Sequence, residues 1–146
     1  MECVCEMSSV TLKSGDPYGA VLWPASAAVA DYLLGGDASG TFEGKTLLEV
    51  GAGNGLLSMA AAIAGYTRVV AADFESIPLE FLSFAANNIN SRVPPGVIET
   101  LLLDLCDMHT PLPASDIVVA ADVLYLPATG RAMAHRGMHL HFTHTR

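Results

Sequence analysis

The passage from residue 46 to residue 64 constrains this 146-residue chain most strongly. An apolar run, TLLEV (46–50), breaks into Gly51-Ala52-Gly53-Asn54-Gly55 and resumes as the small-residue block LLSMAAAIA (56–64). The first run has the continuous apolar character of a strand buried on both faces. The second reads as a short buried helix, with Gly65 placed to cap it. It is also about half the ~20 residues that a membrane span requires, so no membrane partner is expected. Glycines between the two permit a tight turn and let a ligand approach the backbone without meeting a Cβ. The helix then directs its free N–H groups and positive dipole end at that ligand.

The same alternation extends along the chain. Residues 24–34 predict a helix stopped by Gly35 and Gly36, followed by a polar loop over 37–44. RVVAA (68–72) predicts a second buried strand ending at Asp73, and residues 78–90 a helix with Leu79, Leu82, Ala86 and Ile89 along one face. Residues 97–103 predict a third strand after the Pro94-Pro95-Gly96 turn, and DIVVAA (116–121) a fourth. Strands separated by helices or long crossovers imply a parallel sheet with right-handed connections. The expected fold class is therefore α/β, a Rossmann-like parallel sheet with flanking helices. Ligands of such sheets bind outside the carboxyl ends of the strands.

Composition narrows the function. Hydrophobic residues make up 51% and charged residues 15%, which argues against disorder. All fifteen acids lie at or before Asp122, opposed there by Lys13, Lys45, Arg68 and Arg92 alone. An acidic body disfavours a phosphate backbone, so nucleic acid is not an expected partner, whereas a basic protein surface would be tolerated or attracted. The start, MECVCEMSSV, lacks a basic segment followed by an apolar run, so no secretory leader is expected. Cys3, Cys5 and Cys106 are too few and too uneven for a disulfide scaffold, which points to a reducing compartment, the cytoplasm or nucleus. Cys3 and Cys5 have no second Cys or His pair nearby to complete a metal site.

Two details sharpen the glycine loop. The third glycine of a dinucleotide pattern would fall at position 56, which is Leu56, and an acid, Glu49, precedes the loop. A carboxylate there suits a cationic ligand better than a pyrophosphate. Asp73, roughly twenty positions after the loop, suits both ribose hydroxyls. An adenosine that carries a positive centre instead of phosphates is S-adenosylmethionine. The competing structural reading is a glycine turn kept only for helix–strand packing.

Four blocks in order, YGAVLWPASAAVADYL, GKTLLEVGAGNGLLSMAAA, VVAADF and DIVVAADVLYL, resemble the seven-strand protein methyltransferases. The likeness is to the methyltransferase-like 21 and calmodulin-lysine methyltransferase groups, and it covers residue 17 to about residue 126. The resemblance implies a methyl transfer from S-adenosylmethionine to a protein, on lysine. It puts Trp23 against the cofactor, Gly51, Ala52 and Gly53 around the methionine part, and Asp73 on the ribose. Asp104-Leu105 falls where the family usually has an aromatic adenine contact after the third strand, here replaced by an aliphatic one. Ala121 corresponds to the small cofactor-contacting residue that ends the fourth strand. Asp122-Val123-Leu124-Tyr125 matches the family's D-x-x-Y segment, so Asp122 would orient the acceptor amine and Tyr125 would line its channel. The nucleic-acid amine methyltransferases typically carry Asp/Asn-Pro-Pro-Tyr/Phe at this point. A small-molecule acceptor stays open as an alternative.

The expected organisation is an irregular segment over 1–19, a partial methyltransferase domain over 20–130, and a divergent tail over 131–146. Family members continue with further strands, so the chain is expected to lack the last strands of the family sheet and to leave an open edge. A cofactor-binding fragment without turnover is the corresponding non-enzyme reading. The spacing of Met138, Leu140 and Phe142 suits an edge strand better than a helix. His135 and His139 would share a helical face, but no Cys or Glu joins the tail histidines, and no metal is expected.

Overall fold

The computed structural model describes residue 19 and residues 21–35, 40–88 and 92–143, with backbone alone for residue 88 and residues 138–143. The irregular segment expected over 1–19 lies outside the described residues except for Gly19, as do Cys3 and Cys5. The order of elements is α1 (Pro24–Leu34), β1 (Thr46–Val50), α2 (Leu56–Ile63), β2 (Arg68–Asp73), α3 (Ser76–Asn88), β3 (Ile98–Leu102), β4 (Ile117–Ala120) and α4 (Pro127–Thr143).

The four strands form one parallel sheet in the order β3-β2-β1-β4. The chain moves outward from β1 through β2 to β3, then returns to the far side of β1. This reversal makes a topological switch point between β1 and β4, and the glycine loop opens there. Strand alternation sorts the core into two layers. Leu47 and Val69 face α1, α2 and α3 with Leu33, Leu57, Ala61 and Ala86. Leu48, Val50, Val70 and Ala72 face the other way, with Leu103, Leu105 and Ala132 of α4. Glu49 follows the period of Leu47 and points toward α2.

Polar contacts fix the ends of the strands. Asp116 Oδ2 accepts from both the backbone N and Oγ1 of Thr46 at 2.8 Å, which aligns the starts of β4 and β1. Arg68 and Glu99 make a two-pronged ion pair between β2 and β3. That pair is exposed, and surface pairs contribute little to stability.

The largest departure from expectation lies in the tail. Residue 131 does not open a new element, because α4 runs across that boundary without a break. The edge strand expected around Met138, Leu140 and Phe142 is a helix instead. Three alternating residues are too short a pattern to outweigh the preceding turns. Those turns open at Pro127, a favoured first helical residue, and bury Thr129, Ala132 and Arg136 at helical spacing. Arg136, 5% exposed, replaces a missing β3–β4 crossover helix as the organiser of that connection. Its Nε donates to Leu105 O at 2.8 Å, Nη1 to Thr110 O at 2.9 Å, and Nη2 to Asp107 O.

Arg136→Ala would strand Leu105 O and Thr110 O, would leave Asp107 O with the Thr110 N–H alone, and should destabilise the chain by about 3 kcal/mol in equilibrium urea unfolding. Arg136→Lys should recover little, because an ammonium cannot reproduce the planar fork. A loss below about 1 kcal/mol for the alanine variant would show that the loop holds itself.

Candidate functional site

The loop after β1 is pinned to β2 from its first residue. Ala72 O accepts from Gly51 N at 2.8 Å and from Ala52 N at 3.0 Å. Gly51 has φ +73°, and a Cβ there would lie 2.3 Å from Cγ1 of Val123, the residue that crosses over from β4. Gly55, the left-handed N-cap of α2, has the side chain of Leu82 at 2.2 Å from the position of a Cβ. The loop glycines thus allow both the turn and the close packing of α3 and the β4 end around it. Asn54 Oδ1 accepts from Leu56 N at 3.2 Å and begins α2.

Asp73 closes β2 directly beside this loop. It is 7% exposed, and each carboxylate oxygen accepts one backbone N–H: Oδ2 from Gly53 at 2.8 Å and Oδ1 from Glu75 at 3.0 Å. An ionised carboxylate offers about four acceptor sites, so two remain for hydroxyls of a ligand. A small apolar cavity of about 40 Å³ lies at the carboxyl ends of the strands, lined by Val50, Gly51, Phe74, Leu103, Asp104, Leu105, Val123 and Thr129.

The structure distributes the residues singled out in the sequence as follows. Gly51, Gly53 and Asp73 form one cluster, and Asp104 and Leu105 border the cavity next to it. Leu105 is buried against the α4 layer, while Asp104 is exposed and uses Oδ1 to accept from Cys106 N at 2.8 Å. Ala52 joins the cluster through its backbone only, since its methyl packs with Leu79 and Leu82. Ala121 is half-buried behind the β4 end. Asp122 reaches the start of α1, where its Oδ2 accepts from Ala25 N, two residues beyond Trp23. Tyr125 is largely exposed, yet partial burial and the nearby charges of Asp73 and Glu75 raise its hydroxyl above the ordinary value. Among the described residues no group of three or more His, Cys, Asp or Glu stands together to hold a metal.

Glu49 occupies a different position from its neighbours in the motif. It is 1% exposed, and its carboxyl accepts a hydrogen bond from Ser58 Oγ on α2. Burial pushes it up to about 8, against the opposing hydrogen bond from Ser58 and with a smaller push from Asp73. Phe74, Leu103, Val123 and Thr129 also line the cavity and were not singled out in the sequence. Phe74 and Val123 sit immediately after the two acids that were, a position that could have found them. Leu103 and Thr129 carry no sequence signal beyond apolar or small character.

Comparison with known proteins places these features in a family. The sequence model of the family described as lysine methyltransferase matches residues 8–136. The chain belongs to this family. It is 31% identical over 110 residues to the electron transfer flavoprotein beta subunit lysine methyltransferase of Homo sapiens, which covers 75% of the chain and 39% of that relative. It is 32% identical over 127 residues to the protein N-lysine methyltransferase METTL21A of Danio rerio, covering 83% of the chain and 55% of the relative. The chain thus spans roughly 39% to 55% of the length of these family members. The fold is shared with magnesium protoporphyrin IX methyltransferase from Synechocystis PCC 6803 with bound SAM, at a TM-score of 0.62 and 24% identity over 79% of this chain and 52% of that one.

The raised Glu49 carboxyl gives this family member a pH signature. Between its ordinary 4.5 and about 8 the folded chain holds a proton that the unfolded chain has released. Stability should therefore fall as pH rises through that window. Glu49→Gln, which keeps the shape and an acceptor for Ser58, should flatten the slope and gain stability at the alkaline end. Thermal melts across the range would measure it, and identical slopes for the two proteins would contradict the burial argument.

Proposed function

We propose that the chain binds S-adenosylmethionine at the carboxyl ends of β1, β2 and β3 and transfers its methyl group to a lysine side chain of a protein. The observation that carries this reading is Asp73, a buried carboxylate fixed by Gly53 N–H and Glu75 N–H beside a glycine loop at the switch point. The residues present suit the cofactor. Asp73 has acceptor sites left for two ribose hydroxyls, and Gly51 and Gly53 leave the loop backbone open to the methionine part. Phe74, Leu103, Leu105 and Val123 offer an apolar slot for adenine, with Asp104 at its edge. Trp23 borders the rim, two residues before the Ala25 N–H that Asp122 holds. The lack of an aromatic residue at Leu105 is offset by Phe74 on the same cavity.

When bound, the cofactor supplies an electrophilic methyl group on a sulfonium. The chain's own contribution is alignment and exclusion of water. Asp122 and Tyr125, at the end of β4 next to Ala121, face the side from which an acceptor amine arrives. A lysine with a free pKa of ~10.4 must lose a proton before its nitrogen can attack. Asp122 orients the ammonium, Tyr125 lines the approach, and the proton passes to solvent. Family membership and the acidic body both support a basic protein surface as the substrate. A second reading, cofactor binding without turnover, is favoured by one observation: among the described residues β4 pairs with β1 alone. The acceptor side of the cleft then rests on a single strand end.

Incubation of the chain with tritiated S-adenosylmethionine and cell lysate should label protein bands, and protease should remove the label. Label that resists protease but disappears with nuclease would contradict the protein substrate. Cofactor binding with no label anywhere would select the second reading.

A further inference from the structure

We infer that Asp122 is a positioning residue that fastens helix α1, and with it Trp23, across the carboxyl end of the sheet. This role is separate from orienting a substrate amine, although its bearing on affinity rests on the cleft being the cofactor site. Helix α1 begins at Pro24 with Trp23 as its N-cap, and the Trp23 side chain makes no capping hydrogen bond. The first backbone N–H groups of a helix need an acceptor from elsewhere. Asp122 supplies one from 97 residues away, its Oδ2 accepting from Ala25 N at 3.0 Å. A residue of the D-x-x-Y segment thus caps the helix of the Trp-Pro segment, and the two motifs are physically one unit.

The backbone at Asp122 is shaped for this contact. Its φ is 57°, a left-handed value that no other non-glycine residue adopts among the described residues. Aspartate and asparagine tolerate that region better than most side chains, and such strain persists where the surroundings hold it in place. The chain leading into α1 is held from the opposite side as well. Asn54 Nδ2 donates to Val21 O at 3.4 Å, and Gly19 O passes 3.3 Å from where a Cβ of Gly53 would stand. The segment that carries Trp23 is therefore secured to the glycine loop at one end and to β4 at the other. Among the described residues Asp122 Oδ1 takes no hydrogen bond, so the tether leaves an acceptor for a substrate amine.

Trp23 is the single tryptophan of the chain and reports on the tether without added label. Two variants are compatible with the left-handed backbone: Asp122→Gly, which removes the acceptor, and Asp122→Asn, which keeps an amide oxygen as a cap. In the chain without ligand, acrylamide should quench Trp23 more strongly in Asp122→Gly than in the wild type, with Asp122→Asn close to the wild type. Titration with S-adenosylhomocysteine should give a roughly five-fold higher Kd for Asp122→Gly, the factor that corresponds to a lost helix cap, and a near-normal Kd for Asp122→Asn. Equal quenching in all three proteins, or an asparagine variant as impaired as the glycine variant, would overturn the tether. If the wild type binds no S-adenosylhomocysteine, the cofactor reading fails, and the quenching comparison alone still decides the role of Asp122.

Discussion

The carboxylate of Asp73 joins the two turns on which the cleft depends. One oxygen holds Gly53 N–H in the loop after β1, and the other holds Glu75 N–H at the entry to α3. A buried carboxyl group needs hydrogen bonds to replace its lost solvation, and here the backbone provides them. The same bonds present the remaining lone pairs to the cleft. Ala72 O adds a second pin one residue earlier, by accepting from Gly51 and Ala52. With the glycine loop fixed to β2 in this way, Val123 and Leu82 pack into the space that the missing Cβ atoms of Gly51 and Gly55 leave.

Much of this was legible in the sequence because it is local. A strand breaking into glycines, and an acid at the end of the next strand, state the loop and its partner within a short stretch of chain. Thr46–Val50 and Pro24–Leu34 therefore have their expected limits. The parts that escaped depend on distant contacts. Arg136 looked like one charge in a basic, acid-free tail, yet its side chain on α4 donates to three carbonyls of the β3–β4 connection. Glu49 read as a ligand contact because it precedes the loop. Strand periodicity sends it under the loop to Ser58 instead, and burial keeps its proton. The link from Asp122 to Ala25 spans most of the chain, and no spacing rule connects those positions.

The two faces of the molecule consequently serve different ends. On the α1–α3 side, close packing around the loop sets the position of Asp73. On the α4 side, Arg136 secures the loop that bears Leu105, so that the apolar slot has a firm wall. The carboxyl end of β4 stands between them, with Asp122 bound to α1 and Tyr125 extending over the acids of the cleft. In the proposed function, cofactor enclosure and amine recognition would share one short segment, residues 122–125.

Calorimetric titration of the unmodified chain with S-adenosylhomocysteine and, separately, with NAD examines the cleft directly. Both ligands carry an adenosine whose ribose suits Asp73, but only NAD brings a pyrophosphate to a loop that lacks the third glycine of the dinucleotide pattern. Single-site binding of S-adenosylhomocysteine, with NAD weaker or silent, is the predicted result. Tighter binding of NAD would contradict the assignment of this loop to a sulfonium cofactor.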